Sequence, residues 1–319
     1  MQTQIFRPIS KMERPQSFDY YHEKQLMFWI NPTRSKIFKM KRDGTEKQII
    51  LDDLQNAQNV ALDWVSERIY WTDSKTKVIE SSDFYGKKRF ILISPLYLPT
   101  SGLYHMEHPF ALILDPIFGV IFWTDIGSDN PKIERARLDG SDRKIIVNSE
   151  IKSPKGISLD LKRRKIYWCD TDLNSLFSAD YEGRNRKTFL GEQTQKWLSR
   201  PISLAFFEER LYWLDQAFNT GSVSSAKTIG DPTPEILAQK LGTEVNDIKI
   251  FSSKNQQGTN ACSINNGGCQ EICLFNGKYT SCACEYGELD PQDNKTCLES
   301  SAFLLFSRIS RLGNLLFKS

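Results

Sequence analysis

The sequence repeats one short string five times: two aromatic residues, the second always tryptophan, then a variable residue and an aspartate or asparagine. The copies are Phe28-Trp29-Ile30-Asn31, Tyr70-Trp71-Thr72-Asp73, Phe122-Trp123-Thr124-Asp125, Tyr167-Trp168-Cys169-Asp170 and Tyr212-Trp213-Leu214-Asp215. Successive tryptophans are 42, 52, 45 and 45 residues apart, close to the roughly 40 to 45 residues that a four-stranded propeller blade occupies. The repeat, with no sustained helical periodicity, therefore predicts a ring of similar β-sheets.

Turn signals divide each repeat into short strands. Glycines follow the first four tryptophans after 15, 15, 17 and 15 residues, at Gly44, Gly86, Gly140 and Gly183. An aspartate marks the apolar run before each of the first four aromatic pairs, at Asp19, Asp63, Asp115 and Asp160. Short aromatic and β-branched runs between glycine turns are typical of all-β folds. Neighbouring strand residues point to opposite faces, so we expect the aromatic pair to pack against both adjacent blades and the motif aspartates to accept hydrogen bonds.

Cysteines are concentrated at one end of the chain. Six of the seven lie between Cys262 and Cys297, which predicts a small disulfide-stapled domain in an oxidising compartment, with 15 pairings open. The first fifteen residues hold no signal-peptide-like apolar stretch, and no run of about 18 apolar residues marks a membrane span. We therefore expect a fragment of an exported protein that meets a membrane only through a parent chain.

Overall charge excludes one class of partner. The chain has 42 basic and 39 acidic residues, a net charge of +3. This balance provides no field that would hold a polyanion, so nucleic acid is not an expected partner.

The repeats and the spacing Cys262-x6-Cys269-x3-Cys273-x8-Cys282-x-Cys284-x12-Cys297 resemble the low-density lipoprotein receptor superfamily over roughly residues 5 to 300. The resemblance implies an all-β chain, with a six-bladed YWTD β-propeller at residues 1–257 and an EGF-like domain at 258–298. Residues 299–319 would begin a following propeller or form an unstructured tail. Family pairing would join Cys262 to Cys273, Cys269 to Cys282 and Cys284 to Cys297.

Five motifs leave the sixth blade to be assembled from both chain ends. We expect an inner strand at residues 246–251 and outer strands around Ile5 to Ser10 and Lys11 to Glu13. The apolar run from Ala302 to Phe306 reads as the first strand of a further propeller.

Within the superfamily, strings such as Leu138-Asp-Gly-Ser-Asp142 and Phe303-Leu-Leu-Phe-Ser-Arg308 are most similar to the Wnt co-receptor branch. That resemblance implies a cell-surface signalling receptor whose propeller face binds secreted protein ligands, Wnt ligands or their antagonists. Asn174 in Asp172-Leu-Asn174 matches the asparagine that receives Asn-x-Ile peptides, although an asparagine also suits a tight turn. Phe110 and Ile126 depart from the branch pattern. An endocytic cargo receptor with acid-dependent release and a nidogen-like matrix protein remain alternatives.

Catalytic and cofactor chemistry find little support. No catalytic residue is assigned, and the motif carboxylates are expected to be structural, so an enzyme is not expected. His105 and His108 have ligand-like spacing without an evident third zinc ligand. The acidic calcium entry of some EGF domains is missing before Cys262, so no metal is expected there. Cys169 is expected to be a buried thiol. Asn294-Lys-Thr296 is the one permitted N-glycosylation sequence.

Overall fold

The computed structural model describes residues 12–95, 105–191, 198–216, 220–242, 244–298, 303–308 and 311–316. Throughout this part of the chain the structure is almost entirely β. Its helices are short 3-10 turns at Pro32–Arg34, Ser253–Asn255, Ala261–Ser263 and Asn265–Gly268. No helix among the described residues has the length and apolar character needed to cross a membrane.

Twenty strands form five antiparallel sheets, the blades of a propeller, each with its strands in chain order from the centre outward. Blade one contains β1 (Ser17–Tyr21), β2 (Leu26–Asn31), β3 (Lys36–Lys41) and β4 (Gln48–Leu51). Blade two contains β5 (Ala57–Asp63), β6 (Arg68–Asp73), β7 (Val78–Asp83) and β8 (Phe90–Ile93). Blade three contains β9 (Pro109–Asp115), β10 (Val120–Asp125), β11 (Lys132–Arg137) and β12 (Lys144–Val147). Blade four contains β13 (Pro154–Asp160), β14 (Lys165–Asp170), β15 (Ser175–Asp180) and β16 (Lys187–Leu190). Blade five contains β17 (Pro201–Phe207), β18 (Arg210–Asp215), β19 (Ser222–Lys227) and β20 (Glu235–Gln239).

The aromatic pairs join consecutive blades. The first aromatic residue of one blade and the tryptophan of the next share a buried core, because adjacent strand residues point to opposite faces. Phe28 packs with Trp71, Tyr70 with Trp123, Phe122 with Trp168, and Tyr167 with Trp213. All five motif tryptophans are fully buried. The prediction that each pair fills the gaps to its two neighbours is confirmed for these four junctions.

A glycine turn holds consecutive blades in register. Gly86 of blade two has a φ of +75°, and a Cβ there would lie 1.9 Å from the carbonyl oxygen of Ile50 in blade one. Gly183 of blade four meets Ile146 of blade three in the same way, at 2.0 Å. A side chain at either position would push the blades apart.

A cation covers the tryptophan in the first four blades. Lys47, Arg89, Arg143 and Arg186 each lie three residues after the turn glycine, and their charged groups are 5.3 to 5.8 Å from the centre of the indole ring. Such contacts contribute on the order of 0.5 to 2 kcal/mol each. Sequence reasoning missed this pattern, although its spacing from the glycine could have revealed it.

The prediction of six blades is wrong for the described residues, which form five. Residues 246–251, the expected inner strand, lie between blades five and one but pair with no strand in the described chain. The expected outer strand from Ile5 to Ser10, together with Lys11, lies outside the described residues, while Met12 and Glu13 are not in a strand. The physical reason is that the described chain contains no further strand to hydrogen-bond with 246–251.

We call this closure between blades five and one the seam. Asp247 joins its two sides: the carboxylate accepts hydrogen bonds from the Phe18 N–H of blade one (3.2 Å) and from the Ser203 hydroxyl of blade five (2.7 Å). The Tyr20 hydroxyl donates to the carbonyl oxygen of Ile250 at 2.6 Å, and the Tyr20 and Phe251 rings are 4.6 Å apart. Polar contacts and one aromatic cluster therefore connect the blades at the seam, whereas packed sheet faces connect them at the other junctions.

The six clustered cysteines form three disulfides, Cys262–Cys273, Cys269–Cys282 and Cys284–Cys297, the pairing that the resemblance implies. They hold two small hairpins, β21 (Ile272–Phe275) with β22 (Thr280–Ala283) and β23 (Glu288–Leu289) with β24 (Cys297–Leu298). We call residues 258–298 the cysteine unit; its EGF-like character and its boundaries stay predictions.

The cysteine unit is docked under blades two and three. The Asn260 amide donates to the carbonyl oxygen of Pro116 (2.9 Å), and Asp139 accepts from Asn276 (3.2 Å) and from Ser281 (2.8 Å). Phe90 of blade two packs against an apolar cluster of the unit, made of Ile272, Leu274 and Ala283. The unit and the propeller thus share an interface that has an apolar cluster and the Arg89 N–H to Glu285 hydrogen bond (3.3 Å) at blade two and further hydrogen bonds at blade three.

A last hairpin follows the cysteine unit. β25 (Phe303–Arg308) pairs antiparallel with β26 (Arg311–Leu316), so the run expected from Ala302 to Phe306 lies in a strand from Phe303 onward, while Ala302 is outside the described residues. That this strand begins a further propeller stays a prediction.

Candidate functional site

Two ends of the blades differ in what they present. We call the end where the inner strands β1, β5, β9, β13 and β17 begin the upper face, and the opposite end, where the cysteine unit docks, the lower face. The motif aspartates end their strands at the upper face. Loops at this end are therefore held by the repeat itself.

The motif aspartates hold the upper loops in place. Asp170 accepts main-chain hydrogen bonds from Lys152 (2.7 Å) and Ser153 (3.0 Å) before β13, and from Asp172 and Leu173 in the turn after β14. Asp73, Asp125 and Asp215 accept in the same way from the loops that precede β5, β9 and β17. These carboxylates are occupied by main-chain N–H groups, which supports a structural role for them.

Asn174 lies at the upper face in the turn between β14 and β15. Its φ is +47°, a conformation that asparagine tolerates better than most residues. With its amide oriented to donate, its nitrogen gives hydrogen bonds to the carbonyl oxygen of Thr171 (3.0 Å) and to that of Ser199, which precedes blade five. An amide nitrogen has two hydrogens, so both are used and the side-chain oxygen is the group left for a ligand.

The inner strands of the blades surround a central channel. At the upper face this channel opens into a cavity of about 730 Å³. Its lining mixes charges and apolar surface, with Arg14, Lys155 and Lys249 facing Glu244 and Asp247, and with Phe110 as the aromatic wall. Asn174 is not part of this lining. The structure thus brings Phe110, a departure from the branch pattern, to the cavity and leaves Asn174 on the rim.

One lysine stands in the channel itself. Lys249 lines the upper cavity and also a cavity of about 680 Å³ at the lower face. Burial acts to lower the pKa of Lys249, but the carboxylates of Asp247 and Asp19 outweigh it and raise that pKa. Burial raises the pKa of the Asp19 carboxyl, which accepts from the main chain of Leu62 at 2.9 Å. The channel therefore holds a cation facing two carboxylates that are themselves hydrogen-bonded to protein.

His105 and His108 lie in the loop before β9 at the upper face, while the other sequence candidates serve the fold or lie in the cysteine unit. His105 Nε2 is 3.5 Å from Lys77 Nζ, and the His108 N–H donates to Asp125. Among the described residues the one group with metal-like geometry is Glu271, Cys284 and Cys297, whose cysteines are joined to each other. Cys169 is buried, and burial raises the pKa of its thiol. Asn294 is exposed in a turn of the cysteine unit, where its glycosylation stays a prediction.

Comparison with known proteins places these repeats. Residues 67–116 and 119–161 match the low-density lipoprotein receptor repeat class B. Over 281 residues the chain is 30% identical to the vitellogenin receptor Yl of Drosophila melanogaster, which is 85% of this chain and 13% of that receptor. The chain therefore spans only a small part of the curated relative that it matches.

Solved structures share the fold. A structure of a nidogen/laminin complex superposes with a TM-score of 0.61 at 23% identity, covering 70% of this chain and 79% of that one. A gluconolactonase from Xanthomonas campestris superposes with a TM-score of 0.56 at 16% identity, covering 72% and 76%. At these identities the likeness concerns the fold alone.

Blades and matching repeats together define the class: the described residues form a β-propeller, and residues 67–116 and 119–161 of it match low-density lipoprotein receptor class B, or YWTD, repeats. Its similarity to the vitellogenin receptor supports membership of the low-density lipoprotein receptor superfamily. Assignment to the Wnt co-receptor branch of this superfamily goes beyond these matches.

Proposed function

We propose that the chain is an extracellular ligand-binding module of a cell-surface receptor of the Wnt co-receptor kind, and that its upper face binds extended segments of secreted proteins. The observation that carries the proposal is Asn174, whose amide is held between blades four and five with its oxygen left over. A cavity at the same face, walled by Phe110, offers apolar surface for another ligand side chain. Binding rather than catalysis is supported by the motif carboxylates, which are occupied by main-chain N–H groups.

The test is the affinity of an Asn-x-Ile peptide for the chain and for Asn174→Gly, measured by calorimetry. Glycine keeps the positive φ without strain and removes only the amide. Loss of one hydrogen bond should weaken binding by about 1 to 3 kcal/mol. Asn185→Gly is the matched control, because Asn185 also has a positive φ (+55°) in blade four but lies in the turn at the lower end of β15. Equal affinities for the chain and Asn174→Gly would remove Asn174 from the site.

A second candidate is an endocytic cargo-receptor module, favoured by the 30% identity to a vitellogenin receptor. Nidogen-like matrix binding rests on fold likeness alone. Pulldown of vitellogenin, laminin and Wnt antagonists at neutral and acidic pH separates the three. Retention of vitellogenin at neutral pH with loss in acid would favour the cargo receptor over the signalling receptor.

A further inference from the structure

The cavity at the lower face has an apolar ring. Its volume is about 680 Å³, within the range of roughly 300 to 1,000 Å³ that small-molecule sites occupy. We call it the lower cavity. Six apolar side chains around it are left partly or fully exposed: Trp64, Ile113, Phe118, Leu161, Phe207 and Ile250. Apolar surface exposed inside a concave site favours a ligand that has an apolar body.

The lower cavity is formed by the propeller and is open at blades four and five. The residues that line it belong to the inner strands β1, β5, β9, β13 and β17, to turns that follow them, and to residues 249–257. Within the described chain, the cysteine unit contributes no residue to this lining. At the edge of the cavity, Lys162, Arg164 and Glu208 are exposed. A ligand can therefore enter beside the turn between β13 and β14 without displacing the docked unit.

The carboxylates of the lower cavity already have partners within the protein. Five of them belong to the lining: Asp19, Asp115, Asp160, Glu208 and Glu209. Asp19 and Asp115 accept hydrogen bonds on both of their oxygens. Asp160 and Glu209 both pair with Arg163, at 3.2 and 2.6 Å. Glu208 pairs with Lys254. A cationic ligand would have to break one of these contacts.

Two cations of the same lining are free to bind. Lys162 and Arg164 lie in the turn between β13 and β14, and neither side chain has an ion pair or hydrogen bond to the described residues. The Arg164 guanidinium lies 4.3 Å from the centre of the Phe118 ring, so it is held at the wall with its five N–H donors unused. Such a group binds a carboxylate through two parallel hydrogen bonds.

The main chain of the rim favours a small molecule over a peptide. An extended peptide needs main-chain partners as well as side-chain pockets. In the turns at the lower cavity, the N–H groups of Phe118 and Arg163 already donate to Asp115 and Asp160, at 2.9 and 3.0 Å. The free donors are therefore those of side chains, and they are grouped at one edge of an apolar ring.

We propose that the lower cavity binds an aliphatic carboxylate, with its carboxylate on Arg164 and Lys162 and its hydrocarbon chain directed across the cavity toward Ile113 and Trp64. The anion then takes donors that the protein leaves unused, and the chain covers the exposed apolar ring. This site lies at the opposite end of the propeller from Asn174, so it is separate from binding at the upper face.

The test is titration of the full chain with octanoate, decanoate and dodecanoate below their micelle concentrations. Trp64 is partly exposed at the cavity, whereas the five motif tryptophans are fully buried, so a change in fluorescence should report binding. Affinity should rise roughly 4-fold for each added CH₂ group. In Trp64→Phe the fluorescence change should disappear, while calorimetry still detects decanoate.

Charge variants test the carboxylate position. Arg164→Gln should weaken decanoate binding on the order of 10-fold, because a charged two-donor contact is lost. Lys162→Gln should weaken it by about 3-fold, as an exposed single contact does. Lys165→Gln is the matched control: Lys165 is equally exposed and unpaired beside the same turn but is not in the lining, so affinity should stay unchanged.

Ligand analogues test the class of molecule. Decanol keeps the chain without the charge, and decyltrimethylammonium reverses the charge, so both should bind at least about 10-fold more weakly than decanoate. An acetylated Leu-Glu-Leu peptide offers the same chemistry on a main chain and should bind more weakly still. Absence of saturable binding, equal affinity for decanol, an equal loss in Lys165→Gln, or tighter binding of the cation or the peptide would each overturn the proposal.

Discussion

Four junctions between consecutive blades and the seam between blades five and one use the same repeat in different ways. At each of the four, a motif aromatic residue and the next tryptophan are buried together. At the seam, one carboxylate, one tyrosine and an unpaired segment connect the blades. Apolar burial scales with area, whereas the seam depends on a few polar contacts of about 1 kcal/mol each. A repeat therefore stabilises the ring by apolar burial only where a following blade supplies the next tryptophan.

Matched truncations of the first motif aromatic should show the largest difference. Phe122→Ala removes a fully buried ring between blades three and four and should cost about 3 to 5 kcal/mol. Tyr212→Ala removes a partly exposed ring in blade five and should cost about 1 to 2 kcal/mol. Urea unfolding gives both values. Similar losses would show that blade five is covered in solution as the others are.

Asp247→Asn tests the seam directly. The amide that replaces the carboxylate is a weaker acceptor for the Phe18 N–H and the Ser203 hydroxyl, so we expect a loss of about 1 to 3 kcal/mol. Hydrogen exchange should quicken in β1 and β17 and stay unchanged in β9. Thr72→Val is the control, because the Thr72 hydroxyl donates across a closed junction to Phe110. Equal quickening in all blades would contradict a local role.

Acid should disturb the docked cysteine unit only at low pH. Burial acts to raise the pKa of the Asp139 carboxyl. Hydrogen bonds from Ser141, Ser281 and Asn276 outweigh burial and lower that pKa below its usual 3.8. A carboxyl with a lowered pKa in the folded state stabilises it above the unfolded pKa, and this stability is lost as the pH falls through the lowered value. Amide NMR shifts of Asn276 and Ser281 should therefore stay constant from pH 7 to pH 5 (about the range above both pKa values). A transition within that range would show that another group controls docking.

The number of motif tryptophans predicted the five blades because each blade buries one indole ring against its neighbour. The sixth blade could not be counted in this way, since residues 246–251 form a strand only if another strand pairs with them. The strand register also corrects the alignment of Asp19 with Asp63. Asp63 pairs with Arg68, and the equivalent pair in blade one is Tyr21 with Leu26. Asp19 is opposite Phe28 instead, and its carboxyl lines the lower cavity at the channel.

The candidate site was predictable in part. The string Asp172-Leu-Asn174 identifies a turn, because asparagine tolerates positive φ. Its side-chain orientation depends on Ser199, which lies 25 residues further on and belongs to the approach of blade five. The cavity at the upper face is formed by the starts of several inner strands. Contacts between distant repeats of this kind have no local sequence signal.

Gly119 of blade three and Gly277 of the cysteine unit meet backbone to backbone. A Cβ on Gly119 would lie 2.2 Å from the Gly277 nitrogen, and one on Gly277 would lie 2.5 Å from the Phe118 carbonyl oxygen. Because neither glycine has room for a Cβ, this contact fixes the angle between the propeller and the cysteine unit. In a receptor, that angle decides which way the upper face is presented to its surroundings. A single added methyl group at either position would shift the cysteine unit and so change the direction of the upper face, although neither glycine lies at that face.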